Sequence, residues 1–387
     1  MLSKNLALFH NLRKRLDELL KLKDESFDFV HLSIQTLTMT SFRNLQQPTG
    51  RIITLEEKDY LFFGGTAYLG LLANPEYIEL YKKGIDRYGL NNGTSRTNNV
   101  QLGIYQEAED YLAARFGFES TLLFSSGYLA AQTAVKSLSK GKKIFYAPNT
   151  HPALWLDENP EVIDNFDDWA AQTVEEINTS ESSEFVIISN SIDNLTPRRY
   201  DFSVFRGLSS SKHVTMILDD SHGIGILKKN QVSVDFHPMD NIDLVVVASL
   251  AKGMGTDAGL VLGRRDVTDK IKKNPIYTGA SPSAGASLYA LMEGEKLYAE
   301  AFDSMQANTT LMSKLVIRGN LNSIPDFPVF SSKHAGLYRF LLQKQILISS
   351  FPYPLPSSPL LNRIVLSALH SEDDIRHIGE IMSSEIY

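Results

Sequence analysis

Six short apolar runs, at residues 122–124, 143–146, 185–188, 214–218, 244–247 and 259–262, constrain the fold of this chain most strongly. They are rich in Val, Ile, Leu and Phe, and several are apolar throughout, as strands buried on both faces must be. Helical stretches lie between them, among them 105–116 and 128–138. This alternation predicts an α/β fold: a mostly parallel sheet covered by helices, with ligands at the carboxyl ends of its strands. From about residue 301 short strands at 329–330 and 363–368 accompany two helices, the pattern of a smaller α+β domain. The expected organisation is an N-terminal helix and arm at 1–50, a large domain at 51–300 and a small C-terminal domain at 301–387. Pro352, Pro354, Pro356 and Pro359 mark a loop before the last strand.

Composition removes several function classes. A net charge of -7 argues against nucleic acid or an anionic membrane as the main partner. The chain has no cysteine, which excludes disulfides, thiolate metal sites and a cysteine nucleophile. No metal ligand set is expected elsewhere. Residues 1–20 read as an amphipathic helix, with Leu6, Leu8, Phe9, Leu12, Leu16 and Leu19 set among charges. That pattern lacks the apolar core of a signal peptide, and no stretch approaches a membrane span. A cytoplasmic protein without membrane insertion is expected.

Chemistry concentrates at the ends of three consecutive apolar runs. The first ends in Asp219-Asp220-Ser221-His222-Gly223, the second in Ser249-Leu250-Ala251-Lys252-Gly253, and the third opens at Gly259. A carboxylate, an imidazole and a lysine at one end of a parallel sheet suit pyridoxal phosphate (PLP). Lysine forms a Schiff base with the cofactor, and the carboxylate keeps the pyridinium nitrogen protonated so that the ring withdraws electrons. Each part alone is weak; their joint occurrence among glycines is the signal. Ser125-Ser126-Gly127-Tyr128 reads as a turn from strand to helix whose first amides can meet a phosphate. Ser249 can add its hydroxyl, and His151, after another strand end, can lay its ring over a planar cofactor.

These segments resemble the α-oxoamine synthase family of fold-type I PLP-dependent enzymes. The resemblance rests on Tyr68-Leu69-Gly70-Leu71, Tyr88-Gly89-Leu90-Asn91-Asn92-Gly93-Thr94-Ser95-Arg96, the turn at 126–128, His151, and Ser191-Ile192-Asp193. It continues through the Asp219 and Lys252 segments, in family order. Members condense an amino acid with an acyl thioester and lose CO2. The resemblance implies that Lys252 carries PLP and moves the α-proton, Asp219 meets the ring nitrogen, and His222 meets the ring hydroxyl. His151 would stack on the ring; Ser126, Gly127, Tyr128 and Ser249 would hold the phosphate. Ser191 would contact the substrate or a ring oxygen. A homodimer with shared active sites is implied as well.

Three departures concern the amino-acid half of the site. Thr66 stands where relatives carry a carboxylate-binding asparagine. The stretch Ser349-Ser350-Phe351-Pro352-Tyr353-Pro354 lacks their loop arginine, and Gly279 replaces a common threonine. A bidentate carboxylate clamp is not lost neutrally. Thr66, Arg96 and Phe351 are therefore the candidate substrate residues, with Arg96 or Arg363 as replacement cations. The expectation is that glycine, alanine and serine bind poorly, the true amine being larger or held elsewhere by its carboxylate. The leading reading is a PLP-dependent acyltransferase acting on an amino acid and an acyl-CoA or acyl carrier protein thioester. The alternatives are another PLP reaction (aminotransferase, aldolase or decarboxylase) on an unusual amine, and a catalytically silent subunit of the same fold.

Overall fold

The apolar runs form the expected strands. In this computed structural model residues 42–162, 165–236, 239–316, 321–353 and 357–384 are described. The helix expected at 1–20, and Pro354 and Pro356, lie outside them. The chain divides into two units, 1–48 with 54–59, and 49–53 with 60–387. The division runs through β1 (Ile52–Leu55) and β2 (Lys58–Phe63).

The larger unit is built on a six-stranded sheet. Its strands are β3 (Ser120–Phe124), β4 (Lys143–Tyr146), β5 (Glu184–Asn190), β8 (His213–Asp219), β9 (Ile242–Ser249) and β10 (Gly259–Gly263). A small hairpin, β6 (Ile192–Asp193) with β7 (Arg198–Arg199), follows β5. The sheet order is β3-β10-β9-β8-β5-β4, and β4, β5, β8 and β9 pair in parallel. β10 runs antiparallel to both neighbours. Successive side chains leave a strand on opposite faces, and the core divides accordingly. Val245 and Val247 join a cluster with Ala130 and Ala134 of the helix Gly127–Leu138. Leu244, Val246 and Ala248 join another with Ala108 and Leu112 of the helix Ile104–Phe116. Both faces are therefore covered, which is why these strands are apolar throughout.

The C-terminal part differs from the sequence expectation. A second sheet has the order β1-β2-β12-β13-β11, with β11 at Val329–Ser332, β12 at Ile346–Pro352 and β13 at Leu360–Val365. Residues 349–352, read as part of a proline-rich loop, are the end of β12 and pair antiparallel with β13. Pro352 closes that strand rather than forbidding it, because a proline is tolerated where the ladder stops. The last strand begins and ends three residues earlier than 363–368. After it, Ala368 donates its amide to the Tyr68 carbonyl at 2.9 Å. The helix Glu295–Leu315 runs across the boundary expected at residue 300.

Candidate active site

Parallel register brings the sheet's polar ends together. Asn190 of β5 pairs with Asp219 of β8, and Asp219 pairs with Val247 of β9, two residues before that strand ends. The chain then turns through Lys252, held by Leu250 N–H to the Ala258 carbonyl at 2.9 Å and Thr256 N–H to the Leu250 carbonyl at 3.1 Å. A cleft with about 250 Å³ of empty space results, lined by His151, Asn190, Ile192, Asn194, Asp219, His222 and Lys252. Four sequence candidates (Lys252, Asp219, His222 and His151) thus share one cleft.

Within it, Lys252 Nζ lies 2.9 Å from His222 Nε2, and Asn194 Nδ2 lies 3.1 Å from the same nitrogen. The Asn194 amide nitrogen can only donate, so Nε2 is the acceptor and the neutral ring carries its proton on Nδ1. Nδ1–H is then donated to the fully buried Tyr68 hydroxyl, 2.8 Å away. Burial, with Lys252 and Arg363 adding positive charge, holds His222 well below its ordinary pKa. Burial also lowers Lys252; Asp219 opposes that effect and Arg363 adds to it. An amine with a depressed pKa is the better nucleophile at neutral pH.

The two adjacent carboxylates have separate tasks. Asp219 lines the cleft, and its Oδ1 accepts the Ser221 amide at 2.8 Å. Asp220 is fully buried beneath the turn and takes Ser191 Oγ at 2.6 Å, Ser233 N–H at 2.8 Å and the Ser233 hydroxyl. Burial pushes Asp220 up to about 6, against the pull of the Ser191 and Ser233 hydrogen bonds. The Ser191 hydroxyl is turned onto Asp220, and Asn190, Ile192 and Asn194 on either side of it line the cleft.

The turn into the helix Gly127–Leu138 packs against the end of β9. Ser126 caps that helix, its Oγ accepting the Leu129 amide at 3.2 Å. A Cβ on Gly127 would stand 2.4 Å from the Ser249 Cβ, and one on Gly259 would stand 2.0 Å from the Ser126 carbonyl oxygen. Only glycine allows this approach, which places first-turn amides without intrahelical acceptors beside Ser249. The Tyr128 side chain, by contrast, is 57% exposed.

The substrate candidates separate clearly. Arg96 donates from Nη2 to Glu109 Oε1 and to the Leu123 carbonyl, both at 3.1 Å, and its guanidinium covers the Tyr105 ring, while its buried Nε has no partner among the described residues. Thr66 is half-buried two residues before Tyr68, and Phe351 sits partly buried on β12, paired with Leu361. Arg363 is different. Register sets it directly opposite Ser349, the start of the stretch that lacks an arginine of its own. It is 4% exposed, and its Nε and Nη2 have no partner among the described residues. Its charge acts on Tyr68, His222, Lys252 and Asp193.

A buried guanidinium with open donors, a lysine of lowered pKa, a strand-end carboxylate and a glycine-pressed helix start fit PLP and an anionic amine. Together with the sheet topology they define the class: a fold-type I PLP-dependent transferase. The pattern of the family described as aminotransferase class I and II matches residues 58–376, and the chain belongs to that family. The chain is similar to 8-amino-7-oxononanoate synthase of Chromobacterium violaceum, 27% identical over 266 residues that cover 65% of this chain and 68% of the relative. It is similar to serine palmitoyltransferase of Sphingobacterium spiritivorum, 22% identical over 361 residues, covering 88% and 90% of the two chains. Its fold matches a serine palmitoyltransferase solved with PLP as the internal aldimine, with a TM-score of 0.77 at 16% identity over 94% of this chain and 98% of the other. Among the described residues no cluster of potential metal ligands occurs, and no helix is long and apolar enough to cross a membrane.

Sequence reasoning passed over Asn190 and Asn194, quoted Tyr68 without giving it a role, and named Arg363 only as a substitute. The contacts of Tyr68 and Arg363 arise from folded proximity, which the local sequence does not show. Asn194 had a weak signal, a polar residue just after a strand end.

Proposed function

We propose that this chain is a PLP-dependent acyltransferase of the α-oxoamine synthase type, joining an amino acid to the acyl group of a thioester with release of CO2. The observation that carries the proposal is the Lys252–His222 contact at 2.9 Å beside Asp219, with Arg363 and its open donors in the same electrostatic neighbourhood. PLP supplies an electron-withdrawing ring that stabilises negative charge at the amino acid's α-carbon.

The residues do the rest. Lys252 Nζ would hold the cofactor and would take and return the substrate's α-proton. Asp219 would keep a proton on the ring nitrogen. His222, its ring held in place by Tyr68 at Nδ1, would meet the ring hydroxyl, and His151 would cover the ring face. The first amides of the helix Gly127–Leu138, with Ser126 and Ser249, hold the phosphate. Arg363 binds the substrate carboxylate through Nε and Nη2, the bidentate geometry a guanidinium offers. The missing loop arginine is on this reading replaced from β13, so simple amino acids bind.

The proposal includes a cytoplasmic homodimer. Leu72, Leu90, Val100 and Tyr128, exposed at 49%, 73%, 71% and 57%, are the apolar surface it would cover. Leu72 lies 3.7 Å from where a Cβ on Gly255 would sit, close to the Lys252 turn. Sedimentation equilibrium tests the dimer.

A second reading, transamination, is favoured by the family match over residues 58–376. One assay separates the two. Protein loaded with PLP is given an amino acid and an acyl thioester, and free thiol, CO2 and keto acid are measured. The proposal expects thiol and CO2 in equal amounts; keto acid without thiol would establish transamination.

A further inference from the structure

A second cavity opens beside the cleft at the carboxyl end of β4. It holds about 560 Å³ of empty space, part of it open to solvent, and its walls include Asn149, Trp155, Pro160, Glu161, Val162 and Tyr353. One side chain links their linings. Asn190, which lines the cleft, accepts the His151 amide at 3.1 Å and donates to the Asn149 carbonyl at 2.7 Å.

The walls are fixed. The Trp155 indole donates from Nε1 to the Thr150 carbonyl at 3.0 Å and to the Thr150 hydroxyl at 3.1 Å, which locks the ring. Glu161 adopts a left-handed backbone angle, φ of 49°, which strains a glutamate, whereas Asn149, with φ of 57°, is of a type that tolerates that region. Such strain persists where surrounding structure enforces it and gathers at binding sites.

Charge and neighbours select the occupant. Among the described residues Glu161 is the only charged one in the lining, which disfavours phosphates and carboxylates, while the indole, phenol, valine and proline favour an apolar or aromatic group. Tyr353 lies within the field of Asp193, and Asp193 within that of Arg363. We infer that this cavity receives the side chain of the amine substrate, an amino acid whose side chain is of aromatic size and either uncharged or cationic. The inference rests on the proposed function, because it takes Arg363 as the carboxylate site and Lys252 as the amine site.

The test is a visible-absorption titration of PLP-loaded protein with alanine, phenylalanine, tryptophan, lysine and arginine. At least one large side chain should half-saturate at a concentration about tenfold or more below alanine, the discrimination expected of one filled apolar pocket. Val162→Trp should erase that preference and leave alanine within about threefold. Val162→Ala, which removes volume, should increase preference for the largest side chain, and it serves if the tryptophan variant does not fold. Glu161→Gln should weaken lysine and arginine selectively if the favoured side chain is cationic. Alanine binding as tightly as every larger amino acid would overturn the inference, as would a preference untouched by either Val162 variant. If Val162→Trp instead raises KM for the acyl thioester and spares the amine preference, the cavity holds the acyl chain and the inference is wrong. Absence of any spectral response to any amino acid would bring down the proposed function itself, whereas a response to alanine alone would bring down only the cavity's assignment.

Discussion

The end of the six-stranded sheet and the β12–β13 pair of the second sheet both contribute to the site, but their polar groups are finished differently. At the sheet end nearly every polar atom is paired inside the protein: His222 at both nitrogens, Asp220 at both oxygens, Asn190 at both ends of its amide. In the second sheet Arg363 Nε and Nη2, Asn362 Oδ1, Ser350 Oγ and Ser331 Oγ have no partner among the described residues. Buried polar groups are ordinarily satisfied, and exceptions grouped in one sheet ask for an explanation. On the proposed function, the first region is a finished frame for a cofactor, while Arg363 in the second keeps open donors for an anion that arrives with the substrate.

The largest effect should come from the frame. Lys252→Ala is expected to abolish both turnover and the borohydride-fixed PLP linkage, read by mass spectrometry of the peptide containing residue 252. PLP fixed equally well at another lysine would break the assignment of the frame. Asp219→Asn should retain PLP yet turn over on the order of 10²-fold more slowly or worse, because an amide holds the ring proton poorly and about 2–5 kcal/mol of transition-state stabilisation goes with it. Turnover within a few-fold of wild type would move that role to Asp220.

Asp220 gives a smaller effect, on stability. Its pKa in the fold, about 6, exceeds that of the unfolded chain, so the folded state holds the proton more tightly. The resulting stabilisation is complete below about pH 4 and is lost as pH rises through about 6, on the order of 2–3 kcal/mol in all. Asp220→Asn should flatten denaturation midpoints across that window. An unchanged pH slope would show that Asp220 does not hold its proton in the fold.

How far the sequence disclosed this arrangement follows from the range of the interactions. The buried strands and the Asp219–His222 and Ser249–Lys252 turns were legible because apolar runs and the residues ending them are local. Which of Asp219 and Asp220 meets the cleft was less so, and strand alternation decides it, one carboxylate facing out and the next facing under. β12 was hidden because Ser349, Ser350 and Pro352 look like loop, while its burial comes from β2 far along the chain through the pairing of Ile346 with Leu61. The role of Arg363 was hidden for the same reason, since only the register with Ser349 brings an arginine to a stretch that has none.

The smallest effect is expected at Arg96. Arg96→Lys should change amino-acid half-saturation by less than about threefold, because Arg96 Nη2 is engaged by Glu109 and the Leu123 carbonyl. A change as large as that from altering Arg363 would return Arg96 to the substrate site.

The most direct measurement of the contrast compares alanine with ethylamine, which is alanine without its carboxylate, in spectral titrations of the PLP-loaded wild type and Arg363→Ala. If Arg363 is the open half of the site, the wild type should favour alanine by about 10²–10⁴-fold, the roughly 3–5 kcal/mol cost of breaking a buried ion pair, and the variant should lose most of that preference. An equal preference for alanine in both proteins would contradict the account, for the carboxylate would then be held by some other group.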